Sequence, residues 1–150
     1  MKMKLLALTL TLTSLAHAEP KLALQSLYGT NGTLRDASGR TEFTARTSGT
    51  STTYRDSTGH TAAIASGSNP DRLTYRDATG HTFGTASQTG TNTTFRDGSG
   101  HITGTSSQSG NSTTYRDASG RIVGTASRMG NSITFHDNSG RTTGTGTARK

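Results

Sequence analysis

The sequence predicts an all-β fold, a repetitive antiparallel β-meander of about twelve short strands, on three observations. First, the chain repeats with a period near 20 residues. Leu34, Tyr54, Tyr75, Phe95, Tyr115 and Phe135 mark six copies, spaced 20, 21, 20, 20 and 20 apart, and a fixed period of this kind is the signature of a repeat architecture. Second, glycine recurs every ten residues, at 39, 49 and 59 and then at 80, 90, 100, 110, 120, 130 and 140. Third, the segments between are rich in Thr, Tyr, Phe, Ile and Val, which favour strands. No window places apolar residues at helical spacing.

Composition bounds the rest. The 150 residues contain no cysteine, so there is neither a disulfide framework nor a cysteine metal site. Only 27% of residues are hydrophobic, against about 45–50% in an ordinary globular domain, and mean hydropathy is −0.63. A thick core is not expected.

Residues 1–18 read as a cleavable signal peptide. Lys2 and Lys4 form a positive start, Leu5 to Leu15 a short apolar run, and Ala16-His17-Ala18 a small-x-small cleavage site. That run is too short for the ~20 residues a bilayer-spanning helix needs. The expected location is periplasmic or secreted, reached by export across a bacterial inner membrane. No cysteine is present to carry a lipid anchor. Taking Lys2 and Lys4 from the 16 basic residues leaves 14 against 9 acidic, a net charge near +5. Basic and acidic residues alternate rather than cluster, so nucleic acid is not an expected partner. Envelope polysaccharide, peptidoglycan, another protein or a second copy of the chain are.

Residues 19–33 read as an N-terminal cap or linker, 34–147 as six 20-residue hairpin repeats, and 148–150 as a basic tail. Each repeat divides into two ten-residue units of about six strand and four turn residues. One turn has the form Asp117-Ala118-Ser119-Gly120 and the other Arg128-Met129-Gly130-Asn131. Asp early and Gly late suit a turn, because Asp bonds nearby amides and Gly takes positive φ without strain. The spacing of 21 places one extra residue within 66–71, beside Asn69-Pro70. Period-two alternation puts Thr113, Tyr115, Ile122, Gly124 and Ala126 on one face, and Thr114, Arg116, Val123, Thr125 and Ser127 on the other. Keeping those faces needs an even number of loop residues, whereas Gly at the third loop position suggests a three-residue loop with a bulge. The alternation is the stronger guide, because face identity fixes register.

A β-solenoid with 20-residue coils is the alternative architecture. It would stack Arg35, Arg55, Arg76, Arg96 and Arg116 at ~4.8 Å, with the aspartates of the next column stacked likewise. Like charges directly opposite destabilise a sheet. In a meander the equivalent residues lie about 9–10 Å apart, and each Asp comes near the basic residue four positions on, as Asp117 does to Arg121. The meander is therefore favoured. Laid open, twelve strands span about 55–60 Å. The aromatic face then needs cover, by closing into a barrel, folding over or pairing with another copy.

The run Tyr115-Arg116-Asp117-Ala118-Ser119-Gly120-Arg121-Ile122 resembles the YD (Rhs-type) repeat, whose core reads Y-D-x-x-G-R-L. Asp36–Arg40 and Asp137–Arg141 match with Thr following, and three repeats carry His60, His81 or His101 in place of Arg. Here Arg separates the aromatic residue from Asp, whereas the family has the two adjacent. The resemblance covers about eight residues of each repeat. It implies an antiparallel β-strip of secreted or surface proteins.

The expected function is non-catalytic binding or structure at the cell envelope or outside the cell. The candidate interaction surface is Arg55, Arg76, Arg96 and Arg116. The structural aromatic column is Tyr54, Tyr75, Phe95, Tyr115 and Phe135, packed on Gly and Ala. No catalytic, cofactor or metal site is expected. The Asp, His and Ser of the repeats have copies, whereas catalysis normally rests on one asymmetric set; the irregular Glu42, Asp71 and Pro70 form no set, and His60, His81 and His101 are too far apart in a meander to share an ion. Two alternatives remain. One is a curli-like, self-assembling fibre subunit, because open strand edges invite pairing. The other is an ice-binding array built on Thr33, Thr53, Thr74, Thr94, Thr114 and Thr134. Arg149-Lys150 would blunt one edge, and Leu22, Leu24 and Leu27 would cap the other. A transmembrane barrel is set aside, since its strands need ~9–11 residues and an apolar band.

Overall fold

A computed structural model describes residues 26–69 and 71–149. The expected signal peptide of residues 1–18, Leu22, Leu24, Pro70 and Lys150 lie outside them. Twelve antiparallel strands follow in order: β1 (Asn31–Asp36), β2 (Thr41–Ser48), β3 (Ser51–Asp56), β4 (Thr61–Asn69), β5 (Arg72–Arg76), β6 (Thr82–Thr89), β7 (Asn92–Asp97), β8 (Ile102–Ser109), β9 (Ser112–Asp117), β10 (Ile122–Met129), β11 (Ser132–Asp137) and β12 (Thr142–Arg149). Each pairs with its neighbours in sequence, and β1 pairs with β12 from Asn31↔Arg149 to Asp36↔Gly144. The meander thus closes into a barrel. Antiparallel order excludes the solenoid, and closure replaces the open sheet. The expected edges do not exist among these strands. Residues 31–33 belong to β1 rather than to a linker, and Ala148-Arg149 belong to β12 rather than to a tail.

Closure solves the cover problem of a thin sheet. Leu34, Tyr54, Tyr75, Phe95, Tyr115 and Phe135, one per odd-numbered strand, are all buried inside. Their partners on even-numbered strands are mostly small: Tyr54 faces Ala45 and Ala63, Tyr75 faces Ala65 and Gly84, and Phe95 faces Ala86 and Gly104. Large and small residues therefore alternate round the barrel. A low apolar content suffices, because one aromatic ring fills the space in front of two strands. At three of the glycines on this level, Gly104, Gly124 and Gly144, a neighbouring carbonyl comes close. A Cβ on Gly124 would lie 2.6 Å from the His136 carbonyl oxygen, and one on Gly104 would lie 2.6 Å from that of Arg116.

Two kinds of hairpin join the strands. In the first, Gly120 at φ +85° donates its N–H to the Asp117 carbonyl, and Asp117 N–H pairs with the Arg121 carbonyl. This is the three-residue loop with a glycine bulge. A second bulge then sets Ile122 opposite Arg116 and Gly124 opposite Tyr115, leaving Val123 as the extra residue. The odd loop and the bulge together restore the even count, so the loop geometry and the alternation both hold. Thr113, Tyr115, Gly124 and Ala126 face inward, and Thr114, Arg116, Thr125 and Ser127 outward, as expected. Ile122 and Val123 exchange places: Ile122 is 40% exposed, and Val123 packs on the core. The same bulge recurs at Glu42, Ala62, Phe83, Thr103 and Thr143. It accounts for one of the extra residues by which the even-numbered strands, of eight or nine, exceed the odd-numbered ones, of five or six.

The second hairpin is a two-residue loop such as Gly130-Asn131, with Gly130 at φ +59°. In the second repeat the extra residue is absorbed by an irregular register between Ser66 and Asn69. There Gly67 lies so close to the Arg72 carbonyl that a Cβ has no room.

The aspartates stabilise the first hairpin through backbone rather than through ion pairs with the basic residue four positions on. Asp117 Oδ1 accepts bonds from Ser119 N–H (2.9 Å), Ser119 Oγ (2.6 Å) and Arg121 N–H (3.0 Å). Asp36, Asp56, Asp77 and Asp137 accept the same set. In these five the hydroxyl bond is the main cause holding the carboxyl below its usual range, and the charge interaction with the Arg or His four residues on contributes least. At Asp97 partial desolvation works the other way, and amide bonds from His101 and Ser99 outweigh it. The ion pair shown there, His101 Nδ1 to Asp97 Oδ2, is 3.5 Å long.

A pH dependence follows. Six carboxylates titrate lower in the folded chain than the ~3.9 of an unfolded Asp. Their contribution is complete above that value and is lost as pH falls through the depressed values. Thermal unfolding followed by circular dichroism should be insensitive to pH from neutrality to about 5, and the Tm should drop steeply below about 4. A Tm unchanged at pH 3 would contradict the role given to these loops.

Candidate functional site

The barrel has two ends of different character. The Asp-Gly hairpins ring one end, and the two-residue hairpins ring the other. Residues 26–30 cross the second end as a strap. Leu27 is fully buried. Tyr28 Oη donates to the Thr50 carbonyl (2.8 Å), and Gly29 N–H to Thr52 Oγ1 (3.1 Å). Thr47 Oγ1 donates to the Thr30 carbonyl (2.8 Å). At the far side an Arg128 Nη2 donates to the Ser26 carbonyl (3.1 Å). Among the described residues the strap covers the part of the mouth beside β1 to β3 and leaves the part between β6 and β11 open.

The open part is a cavity of about 430 Å³. Its floor is Tyr115, Ala126 and Ile133, and its walls are polar. Thr93, Ser106 and Thr113 contribute hydroxyls from β7, β8 and β9. Gln88 and Gln108 stand at the rim, each with its Nε2 donating to the carbonyl of the glycine two residues on (3.0 and 3.2 Å). Asn111 and Thr91 complete the rim from the loops, with Tyr28 and Ser26 on the strap side. Arg128 is the cation among the lining residues. Burial pushes the Tyr115 hydroxyl well above the usual tyrosine range, and the Arg128 charge partly offsets that rise. Burial likewise raises Tyr54 and Tyr75, so these phenols stay protonated.

Period-two alternation puts these residues here. Inward positions on even-numbered strands continue past the small residue, from Ala126 to Arg128, Ser106 to Gln108 and Ala86 to Gln88. At the mouth the interior turns from aromatic to polar. The sequence carried this signal two residues beyond Ala126, in Gln88, Gln108 and Arg128, and sequence reasoning stopped short of it.

The expected interaction residues lie elsewhere. Arg55, Arg76, Arg96 and Arg116 stand exposed on the outer wall. Arg55, Arg96 and Arg116 each donate an Nη1 bond to the carbonyl of the glycine four residues on, at 2.9–3.0 Å. Arg76 Nη1 reaches Ser66 Oγ at 3.5 Å. These arginines staple their own hairpins. His60, His81 and His101 sit on three successive hairpins of the opposite end. Among the described residues no three metal-ligating side chains come together, and no helix is long and apolar enough to cross a membrane.

No family model matches the chain, and no curated protein matches its sequence. The fold has a counterpart among solved structures. A protein from Arabidopsis thaliana determined by X-ray crystallography is similar to this chain with a TM-score of 0.57, over 83% of this chain and 85% of that one, at 7% identity. That likeness shows a shared fold alone, and the cavity at the mouth has to be read from its own residues.

Proposed function

We propose that the chain is an exported, non-catalytic binding protein of the bacterial cell envelope, whose barrel mouth takes a hydroxyl-rich ligand such as the end of a glycan. The cup of hydroxyl and amide groups over the Tyr115 floor carries this reading. Its ~430 Å³ falls in the range of small-ligand sites, where a few placed polar groups give orientation and an apolar floor excludes water. Sugars offer the matching pattern of many hydroxyls around a weakly apolar ring. The apparent signal peptide and the resemblance of the hairpins to YD repeats both support a place at the envelope or beyond it.

The outer wall weighs on the other readings. Thr33, Thr53, Thr74, Thr94, Thr114 and Thr134 face outward, and most pair with Thr on the next strand, as Thr94 does with Thr105. This array curves round a closed barrel and is bordered by arginines, so it offers little of the flat plane that ice binding requires. Closure also pairs every strand on both sides, which removes the edges that fibre growth would use.

Isothermal titration with di-N-acetylchitobiose and with maltose tests the proposal. Saturable binding to one of them is expected, and the double variant Gln108→Ala/Thr113→Val should weaken it about thirtyfold, since two hydrogen bonds are worth about 1 kcal/mol each. Absence of binding to both sugars, or equal binding by the variant, would remove the mouth from consideration.

A further inference from the structure

Closure creates a second feature on the outer wall, where the chain's two ends meet. A groove of about 710 Å³ runs along the seam of β12, β1 and β2. The register defines its floor. Thr33 of β1 is flanked by Thr44 of β2 and Thr147 of β12. Two residues nearer the mouth, Asn31 pairs with Arg149 and, one step beyond the Gly32–Ala45 pair, stands beside Arg46. Two residues the other way lies Arg35. Three hydroxyls are thus framed by three exposed guanidinium-bearing residues, and no carboxylate of the described residues lines the groove.

Two of these arginines break the repeat. Arg46 stands where the other five copies carry Ser or Thr, and Arg149 where they carry Ser, Thr or Met. They are far apart in sequence, and only the pairing of β1 with β12 brings them onto one row, about 9–10 Å apart by the strand spacing. Arg35 is the consensus arginine of its column, and its Nη1 donates to the Gly39 carbonyl (2.9 Å). The carboxylate next to it, Asp36, is occupied with the Ser38 and Arg40 amides. A positive potential focused in a concave wall draws an anionic partner.

We infer that the seam groove of Arg35, Arg46 and Arg149 binds an acidic polysaccharide, separately from the barrel mouth. The hydroxyls between the cations favour that partner. A chain that alternates acidic groups with hydroxyl-bearing rings matches guanidinium and threonine contacts in turn. A membrane surface would also meet apolar side chains. The exposed large apolar residues among those described, Ile102, Ile122 and Met129, sit on β8 and β10, away from the seam. Duplex DNA would call for contact along a longer basic track than three residues supply.

The experiment measures retention of the full chain on immobilised polygalacturonate, with dextran as the neutral control. Parallel arms use phosphatidylglycerol vesicles and duplex DNA. Binding to polygalacturonate that weakens as salt rises is expected, with none to dextran. The double variant Arg46→Glu/Arg149→Glu should lose about tenfold or more in affinity, since two attractions become repulsions. Arg96→Glu/Arg116→Glu makes the same change in net charge on β7 and β9 and should lose far less. Gln108→Ala/Thr113→Val at the mouth should bind polygalacturonate normally, which separates failure of this site from failure of the mouth. Equal losses in the two charge-reversal variants, no binding to polygalacturonate, or stronger binding to vesicles or DNA would each overturn the inference. Circular dichroism of each variant shows that the barrel is intact.

Discussion

Deleting residues 142–150 is expected to destroy the monomeric barrel and to produce a chain that aggregates and binds amyloid dyes. β12 pairs with β11 on one side and with β1 on the other, and Gly144, Gly146 and Ala148 lie buried against the interior. Without it, β1 and β11 each present an unpaired edge, and the interior between them opens to water. Unpaired edges rich in Thr and β-branched residues template further pairing. Size-exclusion chromatography with dye binding should show large assemblies for the deletion and a monomer without dye response for the full chain. A deletion variant that stays monomeric and unfolds in one cooperative step would show that closure is dispensable. The fibre reading thereby becomes a statement about a damaged barrel rather than an intact one.

Tyr75→Ala is expected to cost about 3–5 kcal/mol, the range for removing a large buried aromatic side chain. Tyr75 is fully buried, faces Ala65 and Gly84 across the sheet, and lies 6.2 Å from the Phe83 ring between centroids. Its neighbours are too small to close the space left behind. Tyr75→Phe should instead be neutral or stabilising by about 1 kcal/mol. The Tyr75 hydroxyl is buried without a hydrogen-bond partner among the described residues, and a buried polar group left unpaired carries its desolvation cost in full. Urea unfolding of the two variants measures both values. A Tyr75→Phe variant less stable than the native chain by 1 kcal/mol or more would mean that the hydroxyl has a stabilising partner.

The repeat was legible because it is a local property. The twenty-residue period, the aromatic column and the alternation of Tyr115 with Arg116 gave strands, order and most of the faces. The turn glycines were legible for the same reason, since positive φ is set within a few residues. Ile122 and Val123 were placed on the wrong faces because the second bulge answers to pairing between strands. Alternation along one strand cannot show where two residues oppose one. Like-charge repulsion does favour the meander, yet the main partner of each aspartate is not the basic side chain four positions on: a carboxylate two residues from a free amide bonds backbone before it reaches a flexible arginine. At the mouth, the signal for Gln88, Gln108 and Arg128 lay in the same alternation carried two positions further, which the sequence reading did not follow.

The amino-acid order thus determined the strands, their antiparallel succession, the buried aromatic column and the aspartate-anchored hairpins, all of which depend on neighbours close along the chain. Whether the twelfth strand meets the first was decided only in three dimensions, because it depends on the accumulated twist and tilt of the whole sheet. With that meeting came the covered interior, the strapped mouth and the row that holds Arg46 and Arg149 on either side of Asn31.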